Sequence, residues 1–375
     1  MKIIKLKLVD FWGDVGKTKE SFYNFPMIKM LQKRYNVIYS DKPDFIIYSA
    51  FGHEHLKYDC VRIFYSVENE RTDWNIADYG ITNDYSQLED RSCHVDYKYW
   101  IETQFNDNTF SKNRENNKGR DKFCSIMISD IGNLWNPREH FFHKLSEYKK
   151  VDSGGRWNNN IGGPIGNRFG ADIRTSKIEW LKQYKFNICF ENASYPGYLT
   201  EKIFDAFEAG CIPIYWGDTS LRCDLNLKSG KYNEIDNRIP IINKDLLYVK
   251  INPNAFINAH NYSTWNELIE EIKRIDNDKD LYLEMLSQPI FLNNFKFNAH
   301  NEMVDNFLYH IFDQDVKDAF RRGIYPRSEK ILYIKKTGIS AIQKNAIMHK
   351  LLYKINLKLK TIKNSIKKRL KPTQA

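Results

Sequence analysis

Two short runs hold the residue types best suited to chemistry. Phe190-Glu191-Asn192 is followed, across Pro196 and Gly197, by Tyr198-Leu199-Thr200-Glu201-Lys202. A strand pattern ends at the first run and a helix pattern starts at Thr200. Helix starts present unpaired N–H groups and the positive end of the helix dipole, and together these attract phosphate. Lys202 adds a full positive charge in the first turn. A cation there opposes the dipole and costs stability unless an anion compensates. Glu201 could accept hydrogen bonds from ribose hydroxyls. An ordinary capped helix with Lys202 turned to solvent uses the same residues, so spacing alone leaves both readings open. A third candidate is Glu68, an acid at a strand end beside Glu70; taken alone it reads as a solvated carboxylate.

These residues need elements to hold them. Residues 3–9 have strand composition and lead into Phe11-Trp12-Gly13-Asp14. The pattern predicts a helical stretch near 19–34, then short β-rich runs at 37–39, 45–49 and 62–66. Residues 105–122 are polar and poor in apolar side chains, as a linker would be. A second unit is predicted to begin at 123, with strands at 123–128, 149–152, 185–191 and 211–216. Helices are predicted at 137–148, with Pro at its start, and at 200–209, capped by Thr200 and closed by Gly210. Two more are predicted around 265–275 and 301–313. Strands alternating with helices indicate an α/β fold with largely parallel sheets. No internal repeat is visible.

Composition narrows the class. Among 375 residues, 42% are apolar, enough for real cores. The net charge is +10, yet residues 330–375 hold 13 Lys and Arg and no acid. The globular part is therefore mildly acidic, which argues against a nucleic-acid partner. A basic tail suggests an attachment device. In it Met348, Leu352, Ile355, Leu359, Ile362, Ile366 and Leu370 form one apolar stripe at helical spacing. A lysine-rich amphipathic helix can lie on an anionic membrane, each basic residue contributing ~1 kcal/mol; a solvated or self-associating helix, or a poorly ordered end, is the alternative. The six cysteines form no C-x-x-C pair. The start, with Lys5 and Lys7, lacks the apolar core of a signal peptide. These features together lead us to expect a cytoplasmic protein, peripherally bound to the inner face of the membrane.

The run FENASYPGYLTEKIFDAFEAGCIPIYWGD, residues 190–218, resembles the signature of the α1,3-fucosyltransferases, glycosyltransferase family 10. That signature is Phe-Glu-Asn, a variable gap, Tyr-x-Thr-Glu-Lys, a helix, then Ile-Pro-Ile-Tyr-Trp-Gly. RIFYSVENE at 62–70, FWGD at 11–14 and NPREHFFHKLSEYKKVDSGG at 136–155 also match, and the likeness is to bacterial members that make Lewis-type antigens.

The resemblance implies a GT-B fold: two Rossmann-like domains facing across a cleft, here residues 1–118 on the acceptor side and 119–328 on the GDP-fucose side, plus the basic amphipathic tail 329–375. It implies Glu68 as general base and Arg138 on the donor phosphates. It implies Asn192, Tyr198, Thr200, Glu201 and Lys202 around the donor, with Trp12, Asp14 and Glu70 as acceptor-side candidates. The implied reaction is inverting transfer of fucose from GDP-fucose to a β-galactosyl-N-acetylglucosamine-type glycan acceptor. No obligatory metal is expected, because Arg138 and Lys202 supply the positive charge; stimulation by a divalent ion is left open. The alternatives are a GT-B transferase using another nucleotide sugar, and a nonenzymatic membrane-surface binder acting through the tail.

Three weaker signals read more simply. Asp276, Asp278 and Asp280 lack the Gly and distant Glu of a calcium loop, and such acids commonly start a helix. The glycines between 154 and 170 form neither G-x-G-x-x-G nor a Walker pattern; a loop bordering the cleft is one reading of them. His53 and His55 could touch an acceptor, although loop histidines are usually bystanders.

Overall fold

The computed structural model describes residues 1–85, 88–95, 120–131, 136–167, 173–221, 235, 251–292 and 297–322. Nearly all of the expected linker and the whole basic tail lie outside the described residues.

Eleven strands form two sheets among the described residues. The first sheet holds β1 (Ile3–Val9), β2 (Asn36–Tyr39), β3 (Phe45–Tyr48), β4 (Val61–Ser66), β5 (Tyr79–Thr82) and β6 (Ser92–His94), in the order β2-β1-β3-β4-β5-β6. The second holds β7 (Lys122–Ile126), β8 (Val151–Ser153), β9 (Tyr184–Phe190), β10 (Ile212–Trp216) and β11 (Ile257–Asn258), in the order β8-β7-β9-β10-β11. Every pairing in the second sheet is parallel. In the first, β1 pairs in parallel with β2 and β3, and β3 with β4. Both sheets thus start with their first two strands exchanged. The chain steps one way from the first strand, then returns and continues the other way. In such sheets ligands bind outside the carboxyl ends of the strands at that switch point. The topology repeats where the sequence shows no repeat, because strand order constrains hydrophobic pattern far more than residue identity.

Burial explains the central strands. All four residues of β3 and all five of β10 are buried, as expected for strands covered on both faces. Along β9, Phe186, Ile188 and Phe190 join one core with Phe141 and Trp265. Tyr184 and Cys189 join another with Trp180, Ile203 and Phe207. Helices Pro137–Ser146 and Trp265–Asn277 supply the first core, and Ile173–Leu181 and Glu201–Ala209 the second.

The predicted helix at 19–34 is two helices, Lys19–Asn24 and Pro26–Gln32. Phe25 between them is extended, with φ −66° and ψ 128°. A residue preceding proline is pushed out of the helical region, so Pro26 ends one helix and opens the next. A further helix, Lys279–Ser287, starts at the acids that read as a helix start. Asp278 caps it, accepting from the N–H groups of Asp280 and Leu281 at 3.0 Å each. Asp276 instead pairs with Lys149 and with Lys185, the latter at 2.8 Å. Among the described residues no cluster of three metal-ligating side chains is found.

The chain divides into two compact units. One comprises Met1–Tyr65, Thr72–Gly80 and His310–Ala375; the other comprises Ser66–Arg71 and Ile81–Tyr309. In the first unit the late segment is fastened by buried Asp78. Its carboxylate accepts the N–H groups of Arg62 at 2.7 Å, Arg321 at 2.7 Å and Arg322 at 2.6 Å, and pairs with the Arg322 guanidinium. Asp313 adds Tyr35 Oη at 2.7 Å and Arg34 at 2.5 Å.

Candidate active site

The second unit gathers most of the candidate residues at the carboxyl end of its central strand. β9 ends at Phe190, and the next residue, Glu191, is fully buried. Its backbone N–H donates to the Trp216 carbonyl at 2.8 Å, continuing the ladder to β10. Its carboxylate turns to the start of helix Glu201–Ala209. There it accepts the Thr200 N–H at 2.8 Å, the Thr200 hydroxyl at 2.6 Å and Lys202 Nζ at 2.9 Å. A Cβ at position 217 would lie 2.4 Å from Glu191 Cγ, so only glycine fits beside this side chain.

The expected cap differs in detail. Thr200 occupies the cap position but makes no side-chain capping bond, because its hydroxyl is committed to Glu191. Lys202 does not turn to solvent. It lies between Glu191 and Glu201, the latter at 3.5 Å, and also donates to Thr200 Oγ1 at 3.0 Å. The anion that compensates a first-turn lysine is therefore built into the fold. Burial opposes the Lys202 charge, but the two carboxylates outweigh it and raise the ammonium well above its usual range. Burial raises Glu191, while Lys202 and the Thr200 bond work the other way. Burial also opposes ionisation of Glu201, yet Lys202 and Lys177 bring it down to about 2.

Tyr198 is buried, and its hydroxyl donates to Asn192 Oδ1 at 2.5 Å. The same hydroxyl oxygen lies 3.4 Å from Glu68 Oε2. One phenol has one proton, so the short bond to Asn192 takes it. Burial, with Glu191 and Glu68 nearby, raises this phenol and keeps it protonated. Glu68 belongs to the segment Ser66–Arg71, which packs as part of the second unit. The structure thus brings together Glu68, Asn192, Tyr198, Thr200, Glu201 and Lys202. Arg138 is 6% exposed. Asn136 Oδ1 accepts from both its N–H and its Nε at 3.0 Å, and Nη2 reaches the Asp130 carbonyl at 3.3 Å. Burial lowers its pKa, while Glu191 and Tyr198 support its charge.

The acceptor-side candidates are more scattered. Glu70 is exposed, and its N–H donates to the Glu68 carbonyl at 2.7 Å. Trp12 and Asp14 belong to the first unit, just beyond β1. Trp12 is 38% exposed and meets Phe51 edge-on at 6.0 Å. Phe51, Lys7, Lys17, Tyr39 and Glu54 line a cavity of about 350 Å³ at the switch point of that sheet. Asp14 pairs with Lys17 at 3.1 Å on the surface. His55 is structural: its Nδ1 meets Asp10 at 2.7 Å and its ring stacks on Tyr48 at 4.2 Å.

Sequence reasoning gave no role to Glu191, Asn83, Arg71, Tyr195 or Asp218. Glu191 left a signal, a charged residue closing an otherwise apolar run. The others left none, since the contacts that matter, Arg71 with Tyr195, Asn83 with Val67 and Glu68, and Asp218 with Gly197, cross many positions. Asp218 accepts the Gly197 N–H at 2.8 Å. Gly197 has φ +87°, and a Cβ there would stand 2.1 Å from the Asn83 carbonyl oxygen. Gly197→Ala is therefore expected to cost about 1–3 kcal/mol, read as a fall of several degrees in thermal midpoint. An unchanged midpoint would show that the loop yields without strain.

A doubly wound sheet with a helix start at its switch point is a frame suited to phosphate-bearing ligands, and comparison gives the family. Residues 6–101 match the profile of the Alpha-(1,3)-fucosyltransferase FucT N-terminal domain. Residues 117–237 match that of Glycosyltransferase family 10 (fucosyltransferase) C-term. The chain belongs to glycosyltransferase family 10. It is 28% identical over 320 residues to Alpha-(1,3)-fucosyltransferase FucT of Helicobacter pylori, covering 76% of this chain and 59% of that one. It is 25% identical over 168 residues to human 4-galactosyl-N-acetylglucosaminide 3-alpha-L-fucosyltransferase 9, covering 44% and 36%. The chain therefore spans less than two thirds of either relative. A crystal structure of an α1,3-fucosyltransferase superposes with TM-score 0.64 at 24% identity, covering 87% of this chain and 93% of that one. Its GDP-fucose complex gives 0.61 at 24% identity, covering 84% and 92%. The fold is GT-B, with two Rossmann-like sheets.

Proposed function

We propose that this protein is an inverting α1,3-fucosyltransferase that uses GDP-fucose and a β-galactosyl-N-acetylglucosamine-type glycan acceptor, the class found in Lewis-type antigens. The observation that carries the reading is the approach of Glu68 to Tyr198, which joins the candidate base to the signature segment. The names of the relatives and the GDP-fucose complex of a structural neighbour support the same donor.

Inversion is one in-line displacement. Glu68 takes the proton from the acceptor hydroxyl as its oxygen bonds to fucose C1. The bond from C1 to the GDP oxygen breaks on the opposite side. Charge moves from sugar to leaving group, as in the oxocarbenium-like states of glycoside chemistry. Arg138, Lys202 and the start of helix Glu201–Ala209 stabilise the departing diphosphate. Trp12, with Phe51 beside it, offers an aromatic face to an acceptor sugar. Tyr198 and Asn192 orient the donor, and Glu201 accepts from its ribose. No metal is needed to balance the phosphate charge.

Turnover with GDP-fucose, GDP-mannose and UDP-sugars, each against N-acetyllactosamine, tests the donor. Transfer from GDP-fucose alone is expected; transfer only from another donor overturns the reading. The basic tail, residues 330–375, is proposed to hold the protein peripherally on the inner face of the membrane, on its anionic lipids. Its deletion should leave soluble turnover within about twofold and abolish sedimentation with phosphatidylserine liposomes, since ~1 kcal/mol is lost per basic residue. Equal sedimentation with and without the tail removes that role.

A further inference from the structure

We propose that Arg71 and Tyr195 form a clasp that positions Glu68; this rests on the reading of Glu68 as the base. Glu68 follows the last residue of β4 by two positions and stands in a loop, residues 67–71, without regular structure. Among the described residues its side chain meets the Tyr198 hydroxyl at 3.4 Å. A carboxylate in an irregular loop is placed by whatever holds the loop's backbone.

Arg71 supplies that support. Its guanidinium carbon lies 3.3 Å from the centroid of the Tyr195 ring. Its edges engage the loop and the end of β5 together. Nη2 donates to Asn69 Oδ1 at 2.8 Å, and Nη1 to the Glu70 carbonyl at 3.1 Å and to Asn83 Oδ1 at 3.4 Å. Nε lies 3.5 Å from Asp84 Oδ2. Asn83 in turn donates to the carbonyls of Val67 at 3.3 Å and Glu68 at 3.2 Å. The Glu68 backbone is thus fixed by an amide that Arg71 orients.

Tyr195 connects this to the signature segment. Its carbonyl accepts the Tyr198 N–H at 3.0 Å, so ring and phenol belong to one turn. The left-handed Gly197 lets that turn pass directly against Asn83. The loop bearing Glu68 and the turn bearing Tyr198 are therefore locked by one planar cation on one aromatic face. All these residues lie in the second unit. A planar guanidinium can stack and keep its edge bonds at once, which an ammonium cannot. Arg71 and Tyr195 are positioning residues, since neither is assigned a contact with substrate.

The test compares full-length wild type, Tyr195→Phe, Tyr195→Leu, Arg71→Lys and the Arg71→Lys/Tyr195→Leu double variant. Tyr195→Phe keeps the aromatic face and should behave as wild type. Tyr195→Leu and Arg71→Lys should each lower kcat by about ten- to a hundredfold, the scale of small misplacements near a reacting centre. The GDP dissociation constant by calorimetry should move less than about twofold, and KM for GDP-fucose likewise, because the phosphate site is untouched. The double variant should be no slower than the worse single one, as one shared contact demands. Hydrogen exchange of the peptide covering Ser66–Arg71 should speed up in Tyr195→Leu and not in Tyr195→Phe. Wild-type kcat in Tyr195→Leu, losses that multiply, or a Tyr195→Phe variant as slow as Tyr195→Leu each overturn the clasp. Hydrogen exchange reads it without turnover: failure of wild type to use GDP-fucose counts against the proposed function, whereas unchanged exchange in Tyr195→Leu counts against the clasp.

Discussion

Glu68→Gln is expected to lower kcat by about 10²–10⁴-fold, the usual contribution of a positioned general base. The amide has the shape of the carboxylate, and its NH2 can donate to the Tyr198 oxygen, which lies 3.4 Å away and gives its own proton to Asn192. Geometry should survive while proton acceptance is lost. GDP binding should change by less than about twofold, because the diphosphate contacts assigned to Arg138 and Lys202 are intact. Initial rates with GDP-fucose and N-acetyllactosamine, beside calorimetry with GDP, separate the two quantities. A variant that transfers at the wild-type rate would remove Glu68 from the mechanism. A variant that loses GDP affinity in parallel would make it a donor contact.

Lys202→Ala should show a second, larger disturbance with an unusual pH signature. The ammonium compensates Glu191, which is fully buried, at 2.9 Å. Removing one partner of such a pair costs about 3–5 kcal/mol, because the other charge is left uncompensated. Burial already raises Glu191, and loss of the lysine raises it further. A carboxyl whose folded pKa exceeds its unfolded value costs stability above the unfolded range, and that cost is relieved as pH falls through the folded pKa. The variant should therefore recover stability between pH 8 and about pH 5. Glu201 has the opposite sign in the wild type. Held down to about 2, it contributes stability that is complete above its ordinary value and lost as pH falls toward 2. Urea melts at pH 5 and pH 8 check the contrast, and recovery at pH 8 instead of pH 5 would contradict it. Glu191→Gln/Lys202→Met should restore most of the stability, since a neutral buried pair needs no counter-charge. GDP affinity should stay weak in that variant, which separates the structural task of Lys202 from its ligand task.

The elements were largely readable because burial writes a clear pattern. The strands at 3–9 and 184–190 and the helix closed by Gly210, whose φ is +73°, stood out as apolar runs with turn residues at their ends. The break at Phe25 was readable only through Pro26. The acids around Asp278 read as a helix start, but the length of the helix they open, Lys279–Ser287, was not given by spacing. At the site, the helix start and its lysine were visible, but not where the lysine's charge goes. Glu191 and Lys202 are 11 positions apart, and spacing does not say whether a lysine turns inward. The meeting of Glu68 with Tyr198, 130 positions apart, has no local trace at all. Only the likeness to a family linked those residues in the sequence. The Arg71 stack on Tyr195 had not even that.

The fastening of Arg322 onto Asp78 has a consequence for how the protein is made. Asp78 is fully buried, and its guanidinium partner lies 244 residues later. At the roughly 5–20 residues per second of synthesis, that partner emerges on the order of tens of seconds after the aspartate. Until then Asp78 has the Arg62 N–H but not the Arg322 guanidinium, so the amino-terminal unit gains its full set of partners only late in translation. The larger part of the second unit, Ile81–Tyr309, lies between the two fastened residues and is complete sooner. The order of assembly thus runs against the order of the chain. For the same reason no single cut can release the first unit intact, because it is built from both flanks of the second.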